Sequence, residues 1–210
     1  MDHPRGKNLI GAFKQPRAVI ADTPLLATLP EVEWRAGMAE VVKHGVIGAI
    51  ELIERFEVGS WKLEVGSWIA DAIRVKVEIV ARDPFERGER AKLNLGHTFA
   101  HAFETLSDYH LRHGEAVAMG LVCATRLAAR RGLCDDGLTA RIENLLRAIG
   151  LPTRIPREFS AEAILDAMRS DKKRVGTRLR FILPRALGDV VIADDVPQED
   201  VVAVIEELRR

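Results

Sequence analysis

The sequence predicts a mainly α protein, a multi-helical domain with a few short strands at the N-terminus and near residues 179–192. Three observations carry this. Apolar residues recur at three- and four-residue spacing in segment after segment from Glu31 to Leu208; several segments carry helix start and stop signals; and strand-like patterns are confined to the margins. With 210 residues, 47% of them hydrophobic and 30% charged, the chain is long enough to bury a sizeable core.

The first thirty residues are rich in Pro and Gly. Their two short apolar segments, Leu9 to Phe13 and Ala18 to Ala21, suit strands at the edge of a sheet. Helical patterns follow over Glu31 to Gly45, Ile50 to Val58, Ser67 to Ala81, Leu93 to Thr105 and Glu115 to Arg131. In the next helix, Leu138 to Ile149, residues Leu138, Ile142, Leu145 and Ile149 share a side, and Gly150 with Pro152 marks the stop. Ser160 is placed to N-cap a helix through Met168, and Pro197 to open the last one, through Leu208. Between them, Leu179 to Leu183 and Asp189 to Ile192 predict a hairpin around Pro184 to Gly188. The pentapeptide EVGSW occurs at Glu57 to Trp61 and again at Glu64 to Trp68; two copies are too few for a solenoid and read as a duplication in an inter-helix loop.

Thirty-one basic residues balance thirty-one acidic ones, so no net field draws the protein to nucleic acid or to an anionic membrane. Any bound anion must be held by local placement of cations. Cys123 and Cys134 are too few for a disulfide framework and fit a reducing cytoplasm. The longest apolar run, Ala116 to Ala124, is far short of a membrane span, and the polar start MDHPRGKN is no signal peptide.

The segment RAKLNLGHTFAHAFE concentrates the chemistry. Arg90, Asn94, His97, His101 and Glu104 are separated by four, three, four and three positions. On one continuous helix these side chains fall within an arc of roughly 80°, on a stripe where an amphipathic helix normally puts Leu or Val. Two histidines at i and i+4 can both bind a metal, and a third ligand from elsewhere leaves a position open for substrate. His113, in HGEAVAMG, and Glu40, in GMAEVVKHG, are the candidates for that ligand, and Lys43 and His44 share the face of Glu40. Burying three polar clusters in apolar helices costs free energy, which favours a purpose for them. Lys76, on a helix with Ile73, Val77 and Val80, is a further cation suited to a carboxylate or phosphate beside a metal, as are Arg90, Lys172 and Lys173. The glycine-flanked GKNLIGAF adds Lys7 and Asn8.

Together GKNLIGAF at 6–13, DTPLLATLP at 22–30, GMAEVVKHG at 37–45, RVKVEIVARD at 74–83, RAKLNLGHTFAHAFE at 90–104, LRHGEAVAMG at 111–120 and DKK at 171–173 resemble the 3-dehydroquinate synthase family of sugar-phosphate cyclases. The resemblance covers nearly the whole chain. It implies a divalent metal, usually zinc and alternatively cobalt, on Glu40, His97 and His113, which moves His101 from the metal to the substrate. It further implies that Lys76, Arg90 and Asn94 surround the substrate's carboxylate and that His101 lies near its reacting hydroxyls. Asn8 and one of Lys172 and Lys173 then assist at the phosphate, Lys43 pairs with substrate or an acidic neighbour, and Leu25, Thr28 and Leu29 touch NAD+. The implied reaction converts 3-deoxy-D-arabino-heptulosonate 7-phosphate to 3-dehydroquinate and phosphate by transient oxidation at C5, phosphate elimination, reduction and an intramolecular aldol closure.

The family pattern also includes a Rossmann-like nucleotide domain, and no strand, glycine-rich loop and helix of that kind occurs in this sequence. The expected organisation is therefore a junction segment, residues 1–29, followed by a helical metal- and substrate-binding domain, residues 30–210. Catalysis is expected to require the missing nucleotide-binding half. The expected protein is a cytoplasmic homodimer acting on a small sugar phosphate, with neither nucleic acid nor membrane as partner. Competing readings are another sugar-phosphate cyclase, a metal-dependent polyol dehydrogenase, which would lack the Lys76 and Arg90 clamp, and a non-catalytic metal-binding domain.

Overall fold

The structure, a computed structural model, describes residue 11 and residues 14–59, 65–175 and 179–209, the side chains of 171–175 excepted. After a 3-10 turn over Thr23–Thr28 come α1 (Glu31–Gly48), α2 (Ile50–Glu57), α3 (Val65–Arg82), a second 3-10 turn (Glu89–Asn94), α4 (His97–Leu106), α5 (His113–Arg130), α6 (Asp136–Ile149) and α7 (Ala161–Val175). A hairpin of β1 (Phe181–Ala186) and β2 (Asp189–Ala193) precedes α8 (Gln198–Leu208). No helix among the described residues is long and apolar enough to cross a membrane.

The core forms around α5, whose residues from Ala116 to Ala128 are nearly all inaccessible, and α1, α4, α6, α8 and β1 pack around it. Small residues let the helix axes approach closely. A Cβ on Gly114 would lie 1.9 Å from the carbonyl oxygen of Ala36, so α5 begins with its backbone against that of α1. A Cβ on Gly120 would lie 2.2 Å from the carbonyl oxygen of Gly96, which fixes the start of α4 on the middle of α5. Gly96 has φ +79°, a left-handed conformation that side-chain-bearing residues avoid.

Helix ends follow the sequence signals. Gly150 ends α6 with φ +88° and Ser160 Oγ accepts the Ala163 N–H at 3.1 Å, while at the start of α6 the Asp135 carboxylate, a cap not read from the sequence, accepts the Leu138 N–H at 2.8 Å.

Five expectations are revised. First, the stripe from Arg90 to Glu104 is not one helix: it is a 3-10 turn and an α-helix joined at Leu95 and Gly96, because the left-handed glycine redirects the chain. Second, Ala18 to Ala21 is no strand; it is exposed irregular chain, with Val19 and Ile20 in solvent, and the described sheet is limited to the hairpin, so no edge is there to pair with. Most of Leu9 to Phe13 lies outside the described residues.

Third, Pro184 belongs to β1 opposite Val190, and the turn is the tighter Leu187–Gly188, whose Gly188 N–H donates to Val46 of α1 at 2.9 Å. Fourth, α7 runs past Met168 to Val175, carrying positions 171–173. Fifth, the second EVGSW copy is no loop. It enters the first turn of α3, where Trp68 is buried edge-on against Phe56 and Trp34, with ring centroids 5.7 and 6.2 Å away.

Candidate metal centre

Three of these elements deliver one ligand group each. Glu40 stands in the middle of α1, one turn beyond the Ala36 contact; His97 opens α4 directly after Gly96; His113 opens α5 directly before Gly114. Glu40 Oε1 lies 3.4 Å from His97 Nε2 and 3.3 Å from His113 Nε2, and the three ligand atoms all lie within 4.8 Å of one another. The glycine-mediated backbone contacts therefore set the distances within this cluster.

The other ring nitrogens decide what faces the centre. His97 Nδ1 is 3.1 Å from the Leu95 carbonyl oxygen, and His113 Nδ1 is 3.2 Å from a Glu104 carboxylate oxygen. Both partners only accept, so in a neutral ring Nδ1 carries the proton and Nε2 presents a lone pair. Two imidazole lone pairs and a carboxylate oxygen then converge, an arrangement that repels itself unless a proton or a metal cation stands between them. The separations of 3.3 and 3.4 Å match the edge of a tetrahedron with bonds of about 2.0–2.1 Å, as in zinc sites. Geometry and donor chemistry both fit a divalent metal with a fourth position open.

Burial raises the Glu40 carboxyl's pKa, but bonds to His113, His97 and Lys43 outweigh this and hold it well below the usual carboxylate range. Glu40's second oxygen, Oε2, accepts from buried Lys43 at 2.6 Å. Burial lowers the Lys43 pKa, with Glu40 opposing. Burial lowers that of His97 despite Glu40. His113 is raised to about 9 by its bond to Glu104 and then by that to Glu40. Buried His44, its Nε2 without a hydrogen-bond partner, is pushed down to about 4 by burial and by Lys43, and is neutral.

The cluster forms one wall of a cavity of about 560 Å³, within the size range of small-molecule sites. Lys76 of α3 and Arg90 and Asn94 of the second 3-10 turn line it, together with Lys43, His44 and Glu86. Arg90 is held by its own backbone: its N–H donates to Asp83 at 3.0 Å and its Nη1 to the Pro84 carbonyl at 2.7 Å. The same Asp83 carboxylate accepts the N–H groups of Arg87 and Gly88, which closes the loop between α3 and the 3-10 turn. Those backbone donors, Arg90 first, lower the Asp83 pKa.

His101 lies outside the three-ligand cluster and outside the cavity lining, with its ring edge-on to His97 at 5.5 Å between centroids. Leu25, Thr28 and Leu29 lie at the 3-10 turn before α1, both leucines exposed and Thr28 Oγ1 donating to the Leu25 carbonyl at 2.8 Å. Lys7 and Asn8 lie outside the described residues, and Lys172 and Lys173 stand in the last turns of α7, where side chains are not described. Glu86 is a cavity residue the sequence reading missed. Its carboxylate accepts from Asn94 at 3.1 Å, from a left-handed position (φ +56°) in the charged stretch DPFERGER, where nothing local distinguishes it.

The fold is that of sugar-phosphate cyclases. The chain superposes on 2-epi-5-epi-valiolone synthase from Streptomyces hygroscopicus subsp. jinggangensis, a structure with NAD+ and Zn2+ bound, with TM-score 0.80 and 27% identity over 89% of this chain and 54% of the other. It superposes on 2-deoxy-scyllo-inosose synthase, complexed with carbaglucose-6-phosphate, NAD+ and Co2+, with TM-score 0.78 and 25% identity over 98% and 60%.

The chain belongs to the 3-dehydroquinate synthase family: the family profile for the enzyme's C-terminal region matches residues 37–174, and that for its N-terminal region matches residues 1–36. Similar curated proteins named 3-dehydroquinate synthase come from Xanthomonas campestris pv. campestris (48% identical over 99% of this chain), Mesorhizobium japonicum (46%, 99%) and Synechococcus sp. (45%, 99%). The chain spans 58–59% of their length.

Proposed function

We propose that this chain is the metal- and substrate-binding part of a 3-dehydroquinate synthase, acting in the shikimate pathway of aromatic amino acid biosynthesis. The substrate is 3-deoxy-D-arabino-heptulosonate 7-phosphate and the products are 3-dehydroquinate and phosphate. The observation that carries this reading is the convergence of Glu40 Oε1 with the Nε2 atoms of His97 and His113 on the wall of a cleft lined by Lys43, Lys76, Arg90 and Asn94. A carboxylate and two neutral imidazoles suit zinc or cobalt, and the cations beside them suit an anionic substrate.

With metal and NAD+ bound, the group of bound cofactors would supply a lowered hydroxyl pKa, a polarised ketone and a reversible hydride acceptor. The chain's own residues do the holding. Lys76, Arg90 and Asn94 bind the substrate carboxylate, and Arg90 is pre-set for this by its bonds to Asp83 and Pro84. His101 moves the hydroxyl proton, Asn8 and one of Lys172 and Lys173 hold the phosphate, and Lys43 keeps Glu40 ionised and fixed. Leu25, Thr28 and Leu29 contribute to the NAD+ site, which turnover completes with a nucleotide-binding domain. In this reading residues 1–29 join that domain to the helical domain, 30–210, and the working protein is a cytoplasmic homodimer.

Phosphate release from the heptulosonate phosphate, measured with zinc and NAD+ in the presence and absence of a nucleotide-binding domain from a relative, tests the proposal. Turnover is expected only with that domain. A folded, zinc-loaded chain that releases no phosphate in either condition refutes it.

A further inference from the structure

Glu104 is the member of the polar stripe that the proposed reaction leaves without work. It stands on α4 seven positions after His97, so it looks the same way two turns on, and it is buried, with 4% of its surface exposed. Burying a carboxylate is costly unless hydrogen bonds compensate. One of its oxygens lies 3.2 Å from His113 Nδ1. Its backbone carbonyl accepts the Tyr109 N–H and the Ser107 hydroxyl, each at 2.9 Å, and Ser107 Oγ in turn accepts the Leu111 N–H at 3.2 Å. Side chain and backbone of one residue thus fasten both the connection from α4 to α5 and the imidazole at its end.

We propose that Glu104 is the positioning residue of the metal centre: its carboxylate holds His113 as the Nδ1–H tautomer and turns Nε2 toward Glu40 and His97. This rests on Glu40, His97 and His113 being the ligand set. His97 gets the same service from a backbone carbonyl beside Gly96. His113 needs more, because it is the most exposed of the three, at 44% of its side chain, and follows an exposed connection that would otherwise leave the ring free to turn. A carboxylate on the far nitrogen of a ligating histidine fixes its tautomer and raises its basicity, and loss of such a partner typically weakens metal binding about 10- to 100-fold.

The test, made above about pH 9 where the metal-free His113 ring is neutral, is zinc affinity by competition with a chromophoric chelator, together with the ring 15N resonances of His113 in the metal-free chain. Glu104→Ala is expected to bind zinc about 10- to 100-fold more weakly, and its His113 to populate both tautomers. Glu104→Gln, nearly isosteric, keeps an acceptor oxygen; it is expected to retain the Nδ1–H tautomer and lose about tenfold in affinity. If Glu104→Ala does not fold, the Gln variant carries the test alone. A folded Glu104 variant that binds zinc as the unmodified chain does, with His113 resonances unchanged, overturns the inference. Glu40→Ala and His97→Ala in the same assay separate the two readings. If they also keep zinc, the ligand set is wrong; if they lose it and the Glu104 variants do not, only the role of Glu104 is.

Discussion

Substituting Gly114 by alanine adds one methyl group at the point where α5 meets α1. That Cβ would stand 1.9 Å from the Ala36 carbonyl oxygen, 2.4 Å from its carbon and 2.6 Å from its Cα. None of these is the end of a side chain that can rotate away. Bringing the closest pair to an ordinary separation of about 3.2 Å moves the helices apart by about 1.3 Å, and overpacking of this kind costs about 3 kcal/mol or more. For a chain of this size that lowers the melting temperature by at least about 6 °C. Because Glu40 and His113 ride on these two helices, the same displacement opens the 3.3 Å separation between their ligand atoms, and zinc affinity falls with stability. Gly37, on α1 beside Ala36, is the internal control. A Cβ there meets nothing within 4 Å, so Gly37→Ala is expected to gain about 0.5–1 kcal/mol from reduced backbone freedom. Differential scanning calorimetry and chelator competition read both quantities. If Gly114→Ala melts within about 2 °C of the unmodified chain and holds zinc as well, the backbone contact does not set the site, and the reasoning is refuted.

Two further outcomes follow from the cluster. His97→Ala is expected to lose bound zinc in a metal analysis, while His101→Ala, outside the ligand cluster, retains it; equal loss would move His101 into the ligand set. The second concerns pH. The pKa of His113 in the metal-free fold is raised from 6.5 to about 9. Its contribution to metal-free stability is therefore fully present below 6.5 and lost as pH rises through about 9. A metal on Nε2 must displace that proton, so apparent zinc affinity is expected to climb up to tenfold per pH unit from 6.5 and level off near 9. An affinity flat between pH 6.5 and 8 would show that His113 carries no proton to displace.

Local signals carried much of this architecture into the sequence. Gly150, Ser160 and Pro197 marked helix ends through hydrogen bonds made within a few residues, and α5 and α6 declared themselves by apolar spacing. Spacing alone paired His97 with His101 and left Glu40 and His113 as alternatives; the trio Glu40, His97 and His113 followed only from the family resemblance, because these residues meet through chain contacts that no local spacing encodes. The break at Gly96 illustrates the limit. HTFAHAFE continues the helical period of RAKLN, and what separates them is Gly120, 24 positions on in sequence, whose backbone allows Gly96 to sit directly against it. Burial of Trp68 shows a related limit: its pocket is built by Trp34 and Phe56, and the repeat that contains it says nothing of either. Glu86 and Glu104 are both acids in charged or mixed surroundings, and only the tertiary structure distinguishes one at the cavity from one buried behind a ligand.

The glycine contacts at Gly96, Gly114 and Gly120 divide the cleft into parts with different freedom to change. The helices that bear Glu40, His97 and His113 touch backbone to backbone, so a side chain added at the seam disturbs all three. Lys76, Arg90, Asn94 and Glu86 stand across the cavity on α3 and on a loop tied together by Asp83, away from the seam, so a replacement there alters the cavity wall without adding bulk between those helices. On the proposed function, one frame can thus keep its metal site while the facing wall changes. Structures that share this fold yet are named for a valiolone and an inosose are what such a division of labour would leave behind.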